Sequence, residues 1–251
     1  MKKKSPEKKD KPENIRINRF LAMSGVASRR ASEELITNGE VKVNGKVVTN
    51  LATQITPTKD SVTVRGKNIS IAQQLLYLVL HKPKDYITTA KDEKGRRTVF
   101  DLLSINERVF PIGRLDRNTS GVLLFTNDGM LATKLMHPSS HVTKSYHVAL
   151  NESAQNPHLE KIAKGMYLED GKTAPAEIEI IPGTKQKEIV LTIHEGKNRQ
   201  IRRMVARLYR TVVDLCRIRI ENIKLGDLPE GQFREIGGKE LQIFLKKLKI
   251  K

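Results

Sequence analysis

The run Val122-Leu123-Leu124-Phe125 is the feature that most constrains the fold of this chain. Four consecutive apolar residues, entered through Gly121 and left through Thr126, are too continuous for a strand with one wet face. They specify a strand buried on both sides, which other layers must cover. Residues 75–80, Leu-Leu-Tyr-Leu-Val-Leu, read as a second buried strand. Two further segments alternate with period two. Tyr146, Val148 and Leu150 share one face of 144–150, and Ile189, Leu191 and Ile193 repeat the pattern. Helical signals interleave with these strands. Met130, Leu131 and Leu135 follow Asp128 and stop before Pro138. Ile201, Met204, Val205 and Leu208 form a stripe at i, i+3, i+4 and i+7. The expectation is an α+β domain over 75–246, with a mixed or antiparallel sheet and flanking helices, followed by a short basic end at 247–251.

A smaller module precedes it. Residues 1–14 are Lys, Glu, Asp and Pro with almost no apolar content, so a disordered basic tail is expected there. Ile17, Phe20 and Leu21 have helical spacing, and Gly25 ends that helix. Ser28 is a good N-cap for a second helix with Ala31, Leu35 and Ile36 inward, stopped by Asn38-Gly39. Val41-Lys42-Val43, Asn44-Gly45 and Lys46-Val47-Val48 read as strand, type I′ turn and strand. This helix–helix–hairpin unit is placed at 15–64, and the polar stretch 65–74 is read as a linker.

Forty-six Lys and Arg against 28 Asp and Glu give a formal charge of +18, which points to a polyanionic partner. A membrane surface would need a basic amphipathic helix or a lipidation signal, and neither is found at the termini. The basic N-terminus has no apolar h-region behind it, so it does not read as a secretory signal. A single cysteine, Cys216, leaves no intrachain disulfide and no multi-cysteine metal cage. The reading is a cytoplasmic monomer with no metal and no cofactor.

Chemistry concentrates in two segments. Asp116 stands in the loop Gly113-Arg114-Leu115-Asp116-Arg117 that leads into the buried strand, a rigid support for a reactive side chain. For an arbitrary loop Asp, an Asx-turn or a surface ion pair is the better reading. The second segment, Glu195-Gly196-Lys197-Asn198-Arg199-Gln200-Ile201-Arg202-Arg203-Met204, sets unbalanced cations around an apolar stripe, an arrangement that favours an anionic partner. Arg202 falls at the border of that stripe and can lean toward a buried cleft, while Arg203 faces outward. Arg29 and Arg30 sit at the positive end of a helix dipole, where cations are unfavourable unless an anion offsets them.

Together with Thr119-Ser120-Gly121, Thr126-Asn127-Asp128-Gly129, Lys144-Ser145-Tyr146 and His81-Lys82-Pro83, these segments resemble, in order and spacing, the motifs of the RsuA/RluB-type pseudouridine synthases. The stretch from Arg16 to Gly45 resembles the S4 RNA-binding module that precedes the catalytic domain in that family. The resemblance implies that Asp116 is the catalytic aspartate, Tyr146 the residue stacking on the target base and Arg202 the cation paired with the aspartate. It implies RNA contact by Arg114, Lys197, Arg199 and Arg203, and by Arg16, Arg29, Arg30 and Lys42 of the small module. The implied partner is ribosomal RNA, with large-subunit 23S RNA preferred and small-subunit RNA possible. Asp116 would attack the sugar or uracil ring or abstract a sugar proton, and the base that removes the C5 proton is left open. One departure stands out: the family usually has Gly after Lys-Pro-x, and this chain has Asp85, a residue type that tolerates the left-handed conformation. A non-catalytic ribosome-assembly factor, a structural ribosomal protein and a transfer-RNA enzyme are the rival readings. The first has no use for Asp116, Tyr146 and Arg202 together, the second would be short and basic throughout where this chain has a large second domain with a buried sheet, and the S4-like module weighs against the third.

Overall fold

The computed structural model describes residues 14–71, 74–90 and 92–250. The expected basic tail lies outside the described residues except for Asn14, whose side chain accepts a 2.6 Å bond from the Thr56 hydroxyl. The chain divides after Leu75 into two compact units. Among the described residues no helix is long and apolar enough to cross a membrane.

In the first unit, β1 (Ile15–Arg16) leads directly into α1 (Ile17–Met23), and α2 (Arg29–Thr37) follows. Gly25, at φ +74°, makes the left-handed exit from α1. The Ser28 hydroxyl accepts the Ala31 N–H at 3.1 Å and caps α2, a contact that contributes about 1 kcal/mol. Ser32 and Ile36 are the residues α2 buries, while Ala31 and Leu35 are half-buried. The hairpin β2 (Val41–Val43) and β3 (Lys46–Val47) turns through Asn44 and Gly45, both left-handed as a type I′ turn requires. β4 (Gln54–Ile55) pairs with β1, and β5 (Val62–Val64) and β6 (Lys67–Ile69) complete a four-stranded sheet in the order β3-β2-β5-β6. Ile17, Phe20, Leu21, Ile36, Val41, Ile55 and Val62 fill its core. The expected linker at 65–74 is therefore corrected. Arg65-Gly66 is a second left-handed turn, and residues 67–69 pair with β5.

The second unit is built on a nine-stranded mixed sheet. Its strands and helices run β7 (Tyr77–Lys82), β8 (Phe110–Pro111), β9 (Ser120–Thr126), α3 (Gly129–Met136), β10 (Lys144–Leu150), α4 (Asn156–Ala163), β11 (Tyr167–Leu168), β12 (Gly171–Lys172), β13 (Glu177–Ile180), β14 (Glu188–Ile193), α5 (Gln200–Ala206), β15 (Val212–Ile220), β16 (Ile223–Lys224), β17 (Phe233–Glu235) and α6 (Gly238–Lys247). The sheet order is β13-β14-β10-β15-β9-β7-β17, with β8 on β9 and β16 on β15, while β11 and β12 form a separate hairpin. Only the β9–β15 pairing among these is parallel.

Every residue of β9 is buried, as its continuous apolar run demands. Leu123 and Phe125 pack with Leu78, Val148 and Leu191 beneath α4 and α5. Val122 and Leu124 pack with Val79 and Ile223 beneath α3 and α6. Asp128 caps α3 by accepting the Met130 and Leu131 N–H groups at 2.9 and 3.1 Å. The basic end expected at 247–251 is not a separate element. Leu248 is buried in the core that Phe244 of α6 enters.

Candidate active site

The loop between β8 and β9 is fixed by bonds to its backbone. Leu115 is buried, and its N–H and carbonyl both bond the Thr88 hydroxyl, at 3.3 and 3.0 Å. The Thr119 N–H closes a turn onto the Asp116 carbonyl at 3.1 Å. Lys82 has no exposed surface, and its Nζ donates to the carbonyls of Pro83 at 2.7 Å and Thr119 at 2.8 Å, with Arg117 at 3.5 Å. Burial pushes the Lys82 ammonium down to about 8, against the opposing pull of the Asp116 and Asp85 charges. Lys82 thus bolts the far side of the turn that carries Asp116 to the end of β7.

Asp85 adds a further tie. It adopts φ +66°, the left-handed conformation in which the family's glycine is at ease, so the departure at this position is accommodated. Its N–H donates to the Arg117 carbonyl at 2.8 Å, and its carboxylate accepts from Arg117 Nε at 3.0 Å.

Asp116 projects from this loop into a cleft of about 800 Å³ lined by Arg114, Lys144, Tyr146, Arg199, Arg202 and Arg217. Its nearest ionic partner is Arg199, with Nη1 3.8 Å from Oδ2. Arg202, the cation implied to pair with Asp116, directs its hydrogen bonds elsewhere: it donates to the carbonyls of Asn118 at 2.7 Å and Val212 at 3.2 Å and so holds the loop. Burial lowers its guanidinium first and the Arg199 charge second, while the Asp116 charge works against both. Arg199 is the left-handed N-cap residue of α5, at φ +46°. A non-glycine residue held there costs on the order of 1–3 kcal/mol, a kind of strain that clusters at functional sites.

Tyr146 reaches the cleft from β10 and is 9% exposed. Arg114 is exposed at the same cleft. Two of the expected RNA contacts have partners inside the protein. Lys197 donates to the carbonyls of Asp170, Gly171 and Lys172 at 3.0, 3.1 and 3.0 Å. Arg203 makes a two-point pair with the Asp170 carboxylate at 2.9 and 2.8 Å. Arg203 locks the β11–β12 hairpin onto α5, and Lys197 locks it onto the loop ahead of that helix. In the first unit Arg16, Arg29, Arg30 and Lys42 are exposed, and no acidic residue occupies the first turn of α2.

Lys82, Lys144 and Arg217 are functional residues that the sequence pattern does not single out. Lys82 and Lys144 stood inside quoted motifs, and Arg217 shares the inward parity of Leu215 along β15.

A family model described as RNA pseudouridylate synthase matches residues 76–207, and an S4 domain model matches residues 15–61. The chain is 43% identical over 231 residues to the ribosomal large subunit pseudouridine synthase B of Bacillus subtilis, covering 90% of this chain and 94% of that one. It is 40% identical over 240 residues to an uncharacterized RNA pseudouridine synthase of Aquifex aeolicus, covering 94% and 96%. A crystal structure of a pseudouridylate synthase superimposes with a TM-score of 0.66 at 28% identity, covering 93% of this chain and 99% of the other.

Proposed function

This chain belongs to the RNA pseudouridylate synthases and carries an N-terminal S4 domain, and from there we propose that it isomerises a defined uridine of large-subunit 23S ribosomal RNA, with Asp116 as the reacting carboxylate. The observation that carries the site assignment is the placement of Asp116, on a backbone-clamped loop, in one cleft with Tyr146 and a set of cations. The ribosomal large-subunit relative supports the choice of RNA.

The reaction breaks the N1–C1′ bond of uridine, turns the base and rejoins it through C5. A stacked base cannot reach Asp116, so the nucleotide flips out at a cost of a few kcal/mol. Stacking on Tyr146 returns roughly 1–3 kcal/mol of that. Arg199 orients the Asp116 carboxylate through their ion pair, and Arg202 keeps the loop in place through the Asn118 carbonyl. The carboxylate then attacks the sugar or uracil ring, or removes a sugar proton. The exposed cations of the S4 unit bind RNA backbone.

Tritium release from C5-tritiated uridine, in large-subunit and small-subunit RNA assayed separately, tests both parts. The wild type should release tritium from large-subunit RNA, and Asp116→Asn should bind the same RNA without release. Release by Asp116→Asn would refute the catalytic carboxylate. Release from small-subunit RNA alone would overturn the substrate.

A further inference from the structure

Two cations in the cleft remain without a role in the steps above. Arg217 on β15 is only 4% exposed, and its Nε donates to the Val122 carbonyl at 2.7 Å. Its Nη2 is buried with no hydrogen-bond partner. A buried guanidinium N–H left unpaired is costly, and Arg217 is one of the residues that line the cleft. Lys144 on β10 is half-buried in the same cleft, and its Nζ reaches the Val142 carbonyl at 3.2 Å. Neither cation makes an ion pair among the described residues. Burial, and then the Arg217 charge, push the Lys144 ammonium down to about 8 and outweigh the opposing charges of Glu221 and Glu195. Like charges in poorly solvated surroundings repel unless an anion arrives between them.

The sheet fixes where that anion must be. Arg217 stands directly across from Tyr146 in the β10–β15 register, and Lys144 is two residues before Tyr146 on the same strand. All three therefore share a face of the sheet. Gly121 draws β15 against β9. It sits at φ +105°, and a Cβ there would lie 2.2 Å from the Arg217 carbonyl oxygen. The close parallel pairing holds Arg217 at the level of the stacking tyrosine. Arg114 and Arg199 are the exposed cations of the cleft, placed to meet phosphate.

We propose that Lys144 and Arg217 are catalytic residues that grip the ring oxygens of the target uracil and stabilise the negative charge it carries while detached from the ribose. The proposal rests on the assignment of this cleft to the isomerisation. When N1–C1′ breaks, the bonding electron pair leaves with the base. The resulting uracil anion spreads its charge over N1, O2, O4 and C5. C1′ is left electron-poor, a deficit met by a bond to the Asp116 carboxylate or by loss of a sugar proton that is returned later. The base turns, C5 donates an electron pair to C1′, and N1 gains a proton as C5 loses one. Uridine and pseudouridine balance without any oxidant or co-reactant. The cations act most strongly while the base is an anion, which is where fixed donors are most effective.

The test compares single-turnover rates on large-subunit RNA transcribed with uridine or with 5-fluorouridine, read as loss of the N-linked nucleoside from digests. Fluorine makes the base a more stable anion and so lessens its need for the cations. Lys144→Met and Arg217→Gln should each slow the uridine transcript about 100-fold, as loss of one such donor does elsewhere. The loss should be at least about tenfold smaller on the fluorinated transcript, with the RNA Kd unchanged. Equal losses on both transcripts would overturn the proposal. So would a loss confined to Kd, which would assign the pair to phosphate. Should Arg217→Gln fail to fold, Lys144→Met carries the same comparison, and Arg217→Lys should keep most of the rate. A wrong choice of RNA shows separately, as wild-type silence on large-subunit RNA, and the comparison then runs on whichever transcript the wild type converts.

Discussion

Replacing Lys82 by Met separates what this side chain does for the fold from what it does for the loop carrying Asp116. Two opposing effects of similar size meet at this residue. The fall of its ammonium from 10.5 to about 8 is a charge-burial cost of about 3 kcal/mol at neutral pH, at about 1.4 kcal/mol per unit. Met removes that cost. It also strips the donor from the Pro83 and Thr119 carbonyls, at about 1–3 kcal/mol each. The balance lies between about 1 kcal/mol of stabilisation and about 3 kcal/mol of destabilisation, so the protein folds and its melting midpoint moves by about 10 °C at most. The loop, however, loses its bolt. A displacement of about 1 Å at a reacting group costs about 100-fold, so the single-turnover rate should fall by that factor with RNA affinity unchanged. The pH dependence has a definite sign. The folded chain holds the Lys82 proton less tightly than the unfolded chain, so the burial cost is full below pH 8 and gone above pH 10.5, and stability rises with pH between them. Relative to Lys82→Met, the wild type should gain about 2 kcal/mol from pH 7 to pH 9.5 in urea unfolding. A variant rate within about threefold of wild type would refute the bolt. A stability difference independent of pH would refute the buried charge.

Gly121→Ala should drive β9 and β15 apart, because the new Cβ meets the Arg217 carbonyl oxygen and φ +105° disfavours any side chain. A calorimetric midpoint lowered by more than about 10 °C is expected, and an unchanged midpoint would show that the close pairing is dispensable. Arg29→Ala combined with Arg30→Ala should lower the salt dependence of RNA binding by about one to two units of slope while leaving the rate at saturating RNA intact, and an unaltered slope removes both from the contact surface. Arg203→Ala should speed hydrogen exchange in the β11–β12 hairpin by unpairing Asp170 without changing RNA affinity. A weaker Kd with unchanged exchange would restore Arg203 to RNA contact.

Much of the fold was legible because its elements carry redundant signals. β9 is announced by continuity, α2 by the Ser28 cap, and the β2–β3 hairpin by Asn44-Gly45. β6 carries no comparable signal. It is an edge strand of Lys67, Asn68 and Ile69, held by backbone bonds to β5, and only Ile69 packs inward. An apolar pattern cannot report a strand that buries one side chain. The partner of Asp116 was missed for a different reason. A helical wheel gives the direction of Arg202 but not its reach, and Arg199 meets the carboxylate because it is left-handed ahead of α5. No propensity of arginine predicts that conformation.

Lys82, Lys144 and Arg217 show where reading by pattern reverses its meaning. Each takes a strand position that burial would assign to an apolar residue, and for any one of them alone the binary pattern calls it an error. Lys82 resolves its conflict within the protein, because backbone carbonyls receive its ammonium. Arg217 does not, because Nη2 has nothing to bond among the described residues. Three polar intrusions along three different strands converge on the loop and cleft of Asp116. A random polar substitution would be scattered over the sheet and purged for its cost. Convergence on one cavity means the cost is met by something the cavity receives, and an unpaired donor on a residue that lines that cavity limits the guest to one that brings acceptors or negative charge. A base that becomes an anion only while it is detached supplies both at the moment they matter and neither when the cleft is empty.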